Sequence, residues 1–253
     1  MSALTPTPRP LRNFTPARVS IGLTGVSQST QDALDFQRCH ALARDAVYAS
    51  LNSAALTASL QAASTTPQDI LLLHSAAPNR ATYLQRPDLG RALDEPGREF
   101  LSRGVHSHCD LAIVIADGLS ALAVERHAVP LVQQLLPLLS GWTIGPFSIV
   151  EQGRVAIGDV IGEALGADIS LVLIGERPGL SSFDSLGAYI TWNPRPGRTD
   201  AERACISNIR AEGLGYSQAA AQLHSTLNLA RRLRLTGVAA HSTATPLTEG
   251  QQP

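Results

Sequence analysis

Charge is scarce in this 253-residue chain: 16% of residues are charged, and 20 basic and 21 acidic side chains leave a formal net charge of -1. Such a chain lacks the electrostatic footprint of a nucleic-acid binder or of a protein held on an anionic membrane. Aromatic residues make up only 4%. The three cysteines, Cys39, Cys109 and Cys205, are odd in number and include no C-x-x-C pair. That argues against a disulfide framework and makes a reducing cytoplasm the expected compartment. No run of about 18 apolar residues occurs, so no segment reads as a membrane-spanning helix. Pro6, Pro8 and Pro10 interrupt the apolar stretch that a signal peptide needs. Neither G-x-G-x-x-G nor a Walker loop is found, which leaves nucleotide phosphate binding with little support. Asp117-Gly118-Leu119-Ser120 does not match the G-x-S-x-G nucleophile elbow.

What the chain has is aliphatic bulk. Hydrophobic residues reach 44%, mostly Ala, Leu, Val and Ile, which suits helices packed on a buried sheet. The length allows one large domain, or one domain with a helical arm. Residues 1–18 and 242–253 are rich in Pro, Thr, Ser and Gln and are expected to be disordered. Between them, residues 19–104 read as a helical region and 105–241 as an α/β domain with a parallel sheet.

The local patterns are uneven. Ser29 with Asp32 three residues on resembles a capping box, and the pattern from Ser29 to about Leu51 is helical. Residues 52–68 suggest a frayed helix or a loop. Ile70 to Leu73 is a plausible strand, and residues 79–103 read as short helical pieces. Leu111 to Ala116 is apolar on both faces, as a central parallel strand is. A helix is expected from about Leu119 to Leu139, a strand from Thr143 to Val150, and a helix over 155–166 capped by Gly166. Ile169 to Ile174 is a further strand, Ala188 to Trp192 a candidate fourth, and Tyr216 to Leu235 a last amphipathic helix. The β-α-β-α-β order argues right-handed parallel crossovers. Ligands of such sheets lie outside the carboxyl ends of the strands. Three loops, read as β→α connections, converge there: Asp117 to Ser120, Glu151 to Val155, and Gly175 to Leu180.

Each candidate at that edge has two readings. Glu176, in Gly175-Glu176-Arg177-Pro178-Gly179, is a carboxylate aimed at a ligand's N–H groups, or one half of a solvated surface pair with Arg177. Gly153-Arg154-Val155 opens a helix whose N–H groups could face polar ligand atoms, or it is ordinary capping. His106 to Asp110 holds metal-capable groups, but no second ligand pair accompanies them, so a polar lead-in to the strand is preferred and no metal is expected. His127 and His224 read as packing or surface residues. Gly158, Gly162 and Gly166 form a small-residue stripe suited to close packing on the sheet. Arg231, Arg232 and Arg234 complement a helix C-terminus. Cys205 reads as a small hydrophobe, with nothing to make it a nucleophile.

Taken in register, these motifs resemble the small (light) subunit family of ethanolamine ammonia-lyase. The match runs from about Leu23 to Leu235. It rests on Thr24-Gly25, Arg44-Asp45-Ala46-Val47, Tyr83-Leu84-Gln85-Arg86-Pro87-Asp88-Leu89-Gly90-Arg91, Ala116 to Ser120, Gly153-Arg154-Val155, Gly175 to Leu180, and Cys205-Ile206-Ser207-Asn208-Ile209. Each motif alone is weak; all of them in order are specific. The resemblance implies a complex with a TIM-barrel large subunit that converts ethanolamine to acetaldehyde and ammonia. Adenosylcobalamin is then bound between the subunits, and homolysis of its cobalt–carbon bond gives the radical that abstracts substrate hydrogen. It also implies a Rossmann-like cobalamin-binding domain at 105–241 that covers part of the cofactor and contributes no catalytic group. Val155, Glu176 and Cys205 are the cofactor-binding positions that carry over. No D-x-H-x-x-G pattern is present, which fits base-on binding. The short leader departs from relatives that are directed into bacterial microcompartments, so a plain cytoplasmic complex is an equal expectation. Arg86 and Arg91 are interface candidates. Two other readings remain: a self-sufficient Rossmann-type transferase, and an assembly protein that barely touches cofactor.

Overall fold

In the computed structural model, residues 14, 23–24, 26–63, 69–104 and 107–240 are described. The expected disorder at 1–18 (Phe14 apart) and at 242–253 falls outside them, as does His106. A two-stranded antiparallel ribbon, β1 (Leu23–Thr24) and β2 (Ser27–Gln28), precedes helix α1 (Thr30–Tyr48). The start of α1 is fixed by Ser29, whose hydroxyl accepts the Asp32 N–H at 3.1 Å and donates to the Asp32 carboxylate at 2.8 Å. Residues 53–63, expected as a frayed helix or loop, form helix α2 (Ser53–Ala63). Its cap is Asn52, whose side chain accepts from Ala55 N–H at 3.0 Å while its own N–H donates to Glu125 at 2.9 Å.

Next come β3 (Ile70–His74), α3 (Arg80–Gln85), α4 (Glu95–Arg103), β4 (Cys109–Ala116), α5 (Ala121–Leu135), β5 (Phe147–Glu151), α6 (Ile157–Ala164), β6 (Ala167–Gly175), β7 (Leu186–Trp192), β8 (Arg203–Ile209) and α7 (Tyr216–Leu233). Strands β3 to β8 build one six-stranded sheet in the order β3-β5-β4-β6-β7-β8. The first four are mutually parallel, β7 pairs antiparallel with β6, and β8 pairs antiparallel with β7. The fold is therefore mixed α/β with a mostly parallel sheet. β3 and α2 join it directly: Leu56 and Leu60 of α2 share one core with β4 and α5.

Strand alternation sorts the sheet into two faces. Leu111, Ile113 and Ile115 of β4 meet α2, α5 and α7 on one side, and Ala112, Val114 and Ala116 meet α4 and α6 on the other. β4 is flanked on both sides, which is why it is apolar throughout. The glycine stripe of α6 acts as expected: a Cβ on Gly158 would sit 2.2 Å from Val172 Cγ2, so only glycine lets the helix approach β6. Gly166 ends the helix with φ +63.

Three local expectations change. β5 begins after Pro146, which has no N–H for the ladder, and Ile144 makes only an isolated bridge to Leu111. The segment after β6 is not a β→α connection but the hairpin loop joining antiparallel β6 and β7. Residues 203–209, unassigned from periodicity, form edge strand β8, whose alternation is broken by a bulge at Asn208 (φ 59). The bulge lets Ile206 and Ile209, three residues apart, face the same core.

Candidate functional site

The loops after β4, β5 and β6 do meet at the sheet's carboxyl edge. Gly153 N–H donates to the Asp117 carboxylate at 3.1 Å, and Leu119 N–H donates to Gly175 carbonyl at 2.9 Å. A Cβ on Gly175 would lie 2.1 Å from the Ser120 carbonyl, which shows how tightly the loops are packed. Arg80 of α3 closes the cluster. Its guanidinium lies 3.4 Å from Asp117, donates to Gly118 carbonyl at 2.8 Å, and through Nε reaches Val47 carbonyl at 2.6 Å. The Tyr83 ring sits between Arg80 at 4.9 Å and Arg154 at 4.3 Å, and its hydroxyl donates to Gly153 carbonyl at 3.0 Å. All twenty basic side chains of the chain are arginines, and the cluster uses the stacking and forked donation that lysine cannot offer. Burial pushes the Asp117 carboxyl up to about 6, with the Arg80 charge opposing it.

Glu176 opens the β6–β7 hairpin. Its N–H donates to the Ser185 carbonyl at 2.9 Å, and its carboxylate accepts from the Ser185 hydroxyl. From β8 it accepts the Ser207 hydroxyl at 2.7 Å and the Asn208 N–H at 3.2 Å. Arg177 does not pair with it; that side chain is exposed. Cys205 lies two residues before Ser207 on β8 and opposite Tyr189 of β7. It is an exposed free thiol. Crowding at its sulfur raises the thiol above its ordinary value, the Tyr189 hydroxyl opposes that shift, and the Glu176 charge adds to it. Glu176 and Cys205 thus share one face of the β7–β8 edge. Val155 lies at the start of α6 on the same side of the sheet, half-buried against the core that Tyr189 also touches. It lines a cleft of about 610 Å³ with Arg91, Arg154, Asp159, Val160 and Arg203. No hydrogen bond joins Val155 to the other two.

Among the described residues this face is left uncovered over β8. Over β7 and β8 the opposite face is sealed by Leu186, Ala188, Ile190, Ile206 and Ile209 against α5 and α7. On the Glu176 side no β8 residue belongs to the second core, and Cys205, Ser207 and Asn208 are exposed. The floor nearest α6 is a buried ion pair: Arg203 grips Asp159 through two hydrogen bonds of 2.7 and 2.6 Å, both side chains 2% exposed.

The remaining candidates fall elsewhere. His108 pairs with Asp168 at 3.1 Å on the surface, and among the described residues no group of three His, Cys, Asp or Glu is placed to hold a metal. His127 is buried, with Nδ1 2.8 Å from the Tyr216 hydroxyl. Arg231 binds Asp110 at 3.0 Å and lies over Trp142 at 4.7 Å, a tertiary contact beyond dipole complementation. Arg86 pairs with Asp88 at 2.6 Å.

The site's framing residues, Arg80, Tyr83, Tyr189, Ser185 and Ser207, were not singled out by periodicity. Tyr83 and Ser207 did lie inside the motifs quoted above, which was the signal available. Arg80 had none, since its partner Asp117 is 37 residues away.

The fold and these side chains define an α/β protein that gathers polar groups on one uncovered sheet face. The family model for the ethanolamine ammonia-lyase light chain matches residues 7–241. A Pseudomonas aeruginosa protein named ethanolamine ammonia-lyase small subunit is 54% identical over 234 residues, covering 90% of this chain and 85% of that one. Proteins of the same name from Ralstonia nicotianae and Pseudomonas syringae are 52% and 51% identical over 233 residues, covering 90% of this chain and 85% and 80% of theirs. The chain belongs to the ethanolamine ammonia-lyase light-chain family.

Proposed function

We propose that this chain is the small subunit of an adenosylcobalamin-dependent ethanolamine ammonia-lyase and covers the cofactor where it meets a large subunit. Residues 105–241, with a Rossmann-like sheet, are the cobalamin-binding region. The observation that carries this reading is the uncovered β7–β8 face, on which Glu176 and Cys205 lie together with Val155 on the same side. Corrin side chains are amides, and an amide-rich ligand needs fixed acceptors and apolar contact. The residues present fit that need. A carboxylate has about four acceptor positions, and three protein donors hold Glu176 in place, which leaves one for a ligand N–H. Val155 adds an apolar surface at the mouth of a cleft, and Cys205 with Tyr189 adds a soft, weakly polar wall.

When bound, the cofactor supplies the radical chemistry. This chain's part is to hold and shield it: Glu176 orients it, Val155 and Cys205 pack against it, and the sheet excludes water from that side. We assign no catalytic group to this chain; the substrate belongs to the large subunit. The complex is placed in the cytoplasm, and a bacterial microcompartment is one setting in which such a complex could be housed.

The test is ammonia release from ethanolamine and adenosylcobalamin by the matching large subunit, with and without this chain. Activity that needs both chains is the expected result. Full activity of the large subunit alone would overturn the subunit role. Glu176→Ala in an intact complex should weaken cobalamin binding about tenfold or more, the scale of a hydrogen bond to a charged group. Unchanged affinity would leave only an assembly role.

A further inference from the structure

Three consecutive residues close the hairpin loop that carries Glu176, and each is tied to a different part of the molecule. The Phe183 carbonyl accepts from the hydroxyl of Ser120, the N-cap of α5, at 3.1 Å. The Asp184 side chain turns to the sealed face and is 10% exposed there. It accepts from Arg126 of α5 at 2.7 Å and from Arg210, beyond β8, at 3.3 Å, and it lies 3.5 Å from His127 Nε2. The Ser185 hydroxyl turns to the open face and donates to Glu176.

Asp184 is thus a buried anion among two arginines and a histidine, two of them from α5 and Arg210 from the turn after β8. Burial alone would raise its pKa, but the Arg126 hydrogen bond and the His127, Arg126 and Arg210 charges outweigh it and hold the carboxyl below its ordinary value. His127 is itself held below its ordinary value, first by burial, with Asp184 opposing. Tyr216 caps the other imidazole nitrogen at 2.8 Å, and Glu212 is the further acid whose charge reaches Tyr216. Arg126 also lies over the Phe183 ring at 5.6 Å. Glu176 and Ser185 are the first and last residues of the ten-residue loop between β6 and β7; this network pins Asp184, the neighbour of one of the three donors that hold Glu176.

We propose that Asp184 is a positioning residue for cobalamin binding. From the sealed face it locks Ser185, and through Ser185 it sets the direction of the Glu176 carboxylate on the open face. This rests on the reading of Glu176 as a cofactor acceptor. It adds that the acceptor's geometry is set from across the sheet by a side chain that never meets the ligand.

The test is an absorbance titration of adenosylcobalamin into the assembled two-subunit complex, with this chain carrying Glu176→Ala, Asp184→Asn, Ser185→Ala, or Glu176→Ala with Asp184→Asn. Each single change should weaken binding several-fold, Glu176→Ala the most. The double variant should bind no more weakly than Glu176→Ala alone, because residues that act through one another are not additive. Additive losses would overturn the proposal, since they mean Asp184 acts on the fold at large. Wild-type affinity in Asp184→Asn or Ser185→Ala, alongside weak binding in Glu176→Ala, would also overturn it. Should Asp184→Asn not assemble, Ser185→Ala decides, because it cuts the link and leaves the arginines paired. Unchanged affinity in Glu176→Ala would be a failure of the cofactor reading itself, which separates the two.

Discussion

The parallel and antiparallel parts of the sheet are built on different rules. In β5, β4 and β6 the buried positions on both faces are apolar, Ser148 and Ser170 apart, and meet helices on both sides, while the edge strand β3 leaves Leu72 exposed. In β7 and β8 one face is aliphatic and sealed, while the other carries Tyr189, Thr191, Arg203, Cys205 and Ser207 and, among the described residues, has no helix over β8. A parallel strand is buried on both faces by its crossover helices; an antiparallel edge can leave one face to a ligand or partner. The candidate site lies where the sheet switches from one rule to the other.

Breaking the floor of that open face should have the largest effect. Asp159→Ala leaves the buried Arg203 with only the fully exposed Asp200, 3.5 Å from its Nε, as an acidic neighbour, so a loss of about 3 kcal/mol is expected in denaturant unfolding. A loss below about 1 kcal/mol would mean that water reaches the pair. Overpacking the parallel side comes next. Gly158→Ala places a methyl group against Val172, and a cost of about 1 to 3 kcal/mol is expected by the same measurement.

Acidity separates the edge cluster from both faces. The Asp117 carboxyl is raised to about 6 by burial, so the folded chain binds this proton more tightly than the unfolded one. Its contribution to stability therefore falls as pH rises from about 4 to 6, by on the order of 2 kcal/mol. Asp117→Asn should remove that slope; an unchanged slope in unfolding measured across this window would mean that Asp117 is solvated. The smallest effect is expected at Cys205. It is exposed, so Cys205→Ser should shift unfolding by less than about 0.5 kcal/mol while still weakening cobalamin binding measurably. A large loss of stability there would turn Cys205 back into a packing residue.

The same contrast explains what could be read from the residues alone. Leu111 to Ala116 and Ile169 to Ile174 announce buried strands, because burial on both faces leaves continuous apolar runs. β8 gave no such signal: its Arg203-Ala204-Cys205-Ile206-Ser207-Asn208-Ile209 run alternates and then breaks at a bulge. The hairpin nature of the Glu176 loop was equally hidden, since Gly175 to Gly179 suits a connection to a helix as well as a turn between strands. Topology placed Glu176 at the carboxyl edge of the sheet, and it follows the last residue of β6 there. Of the partners that orient it, Ser185 depends on the hairpin closing over nine residues, and Ser207 and Asn208 on strand pairing with a segment about thirty residues away, neither of which periodicity encodes. Cys205 came from resemblance, and the pairing with Tyr189 supplies the physical setting it lacked.

The central claim, that the open β7–β8 face covers the cofactor, is tested most directly by hydrogen–deuterium exchange on the assembled complex with and without adenosylcobalamin. Slower exchange at residues 153–156, 176–177 and 205–208, with α2 and α7 unchanged, is the expected result. Protection that spares all three segments, or falls on the sealed face instead, would contradict it.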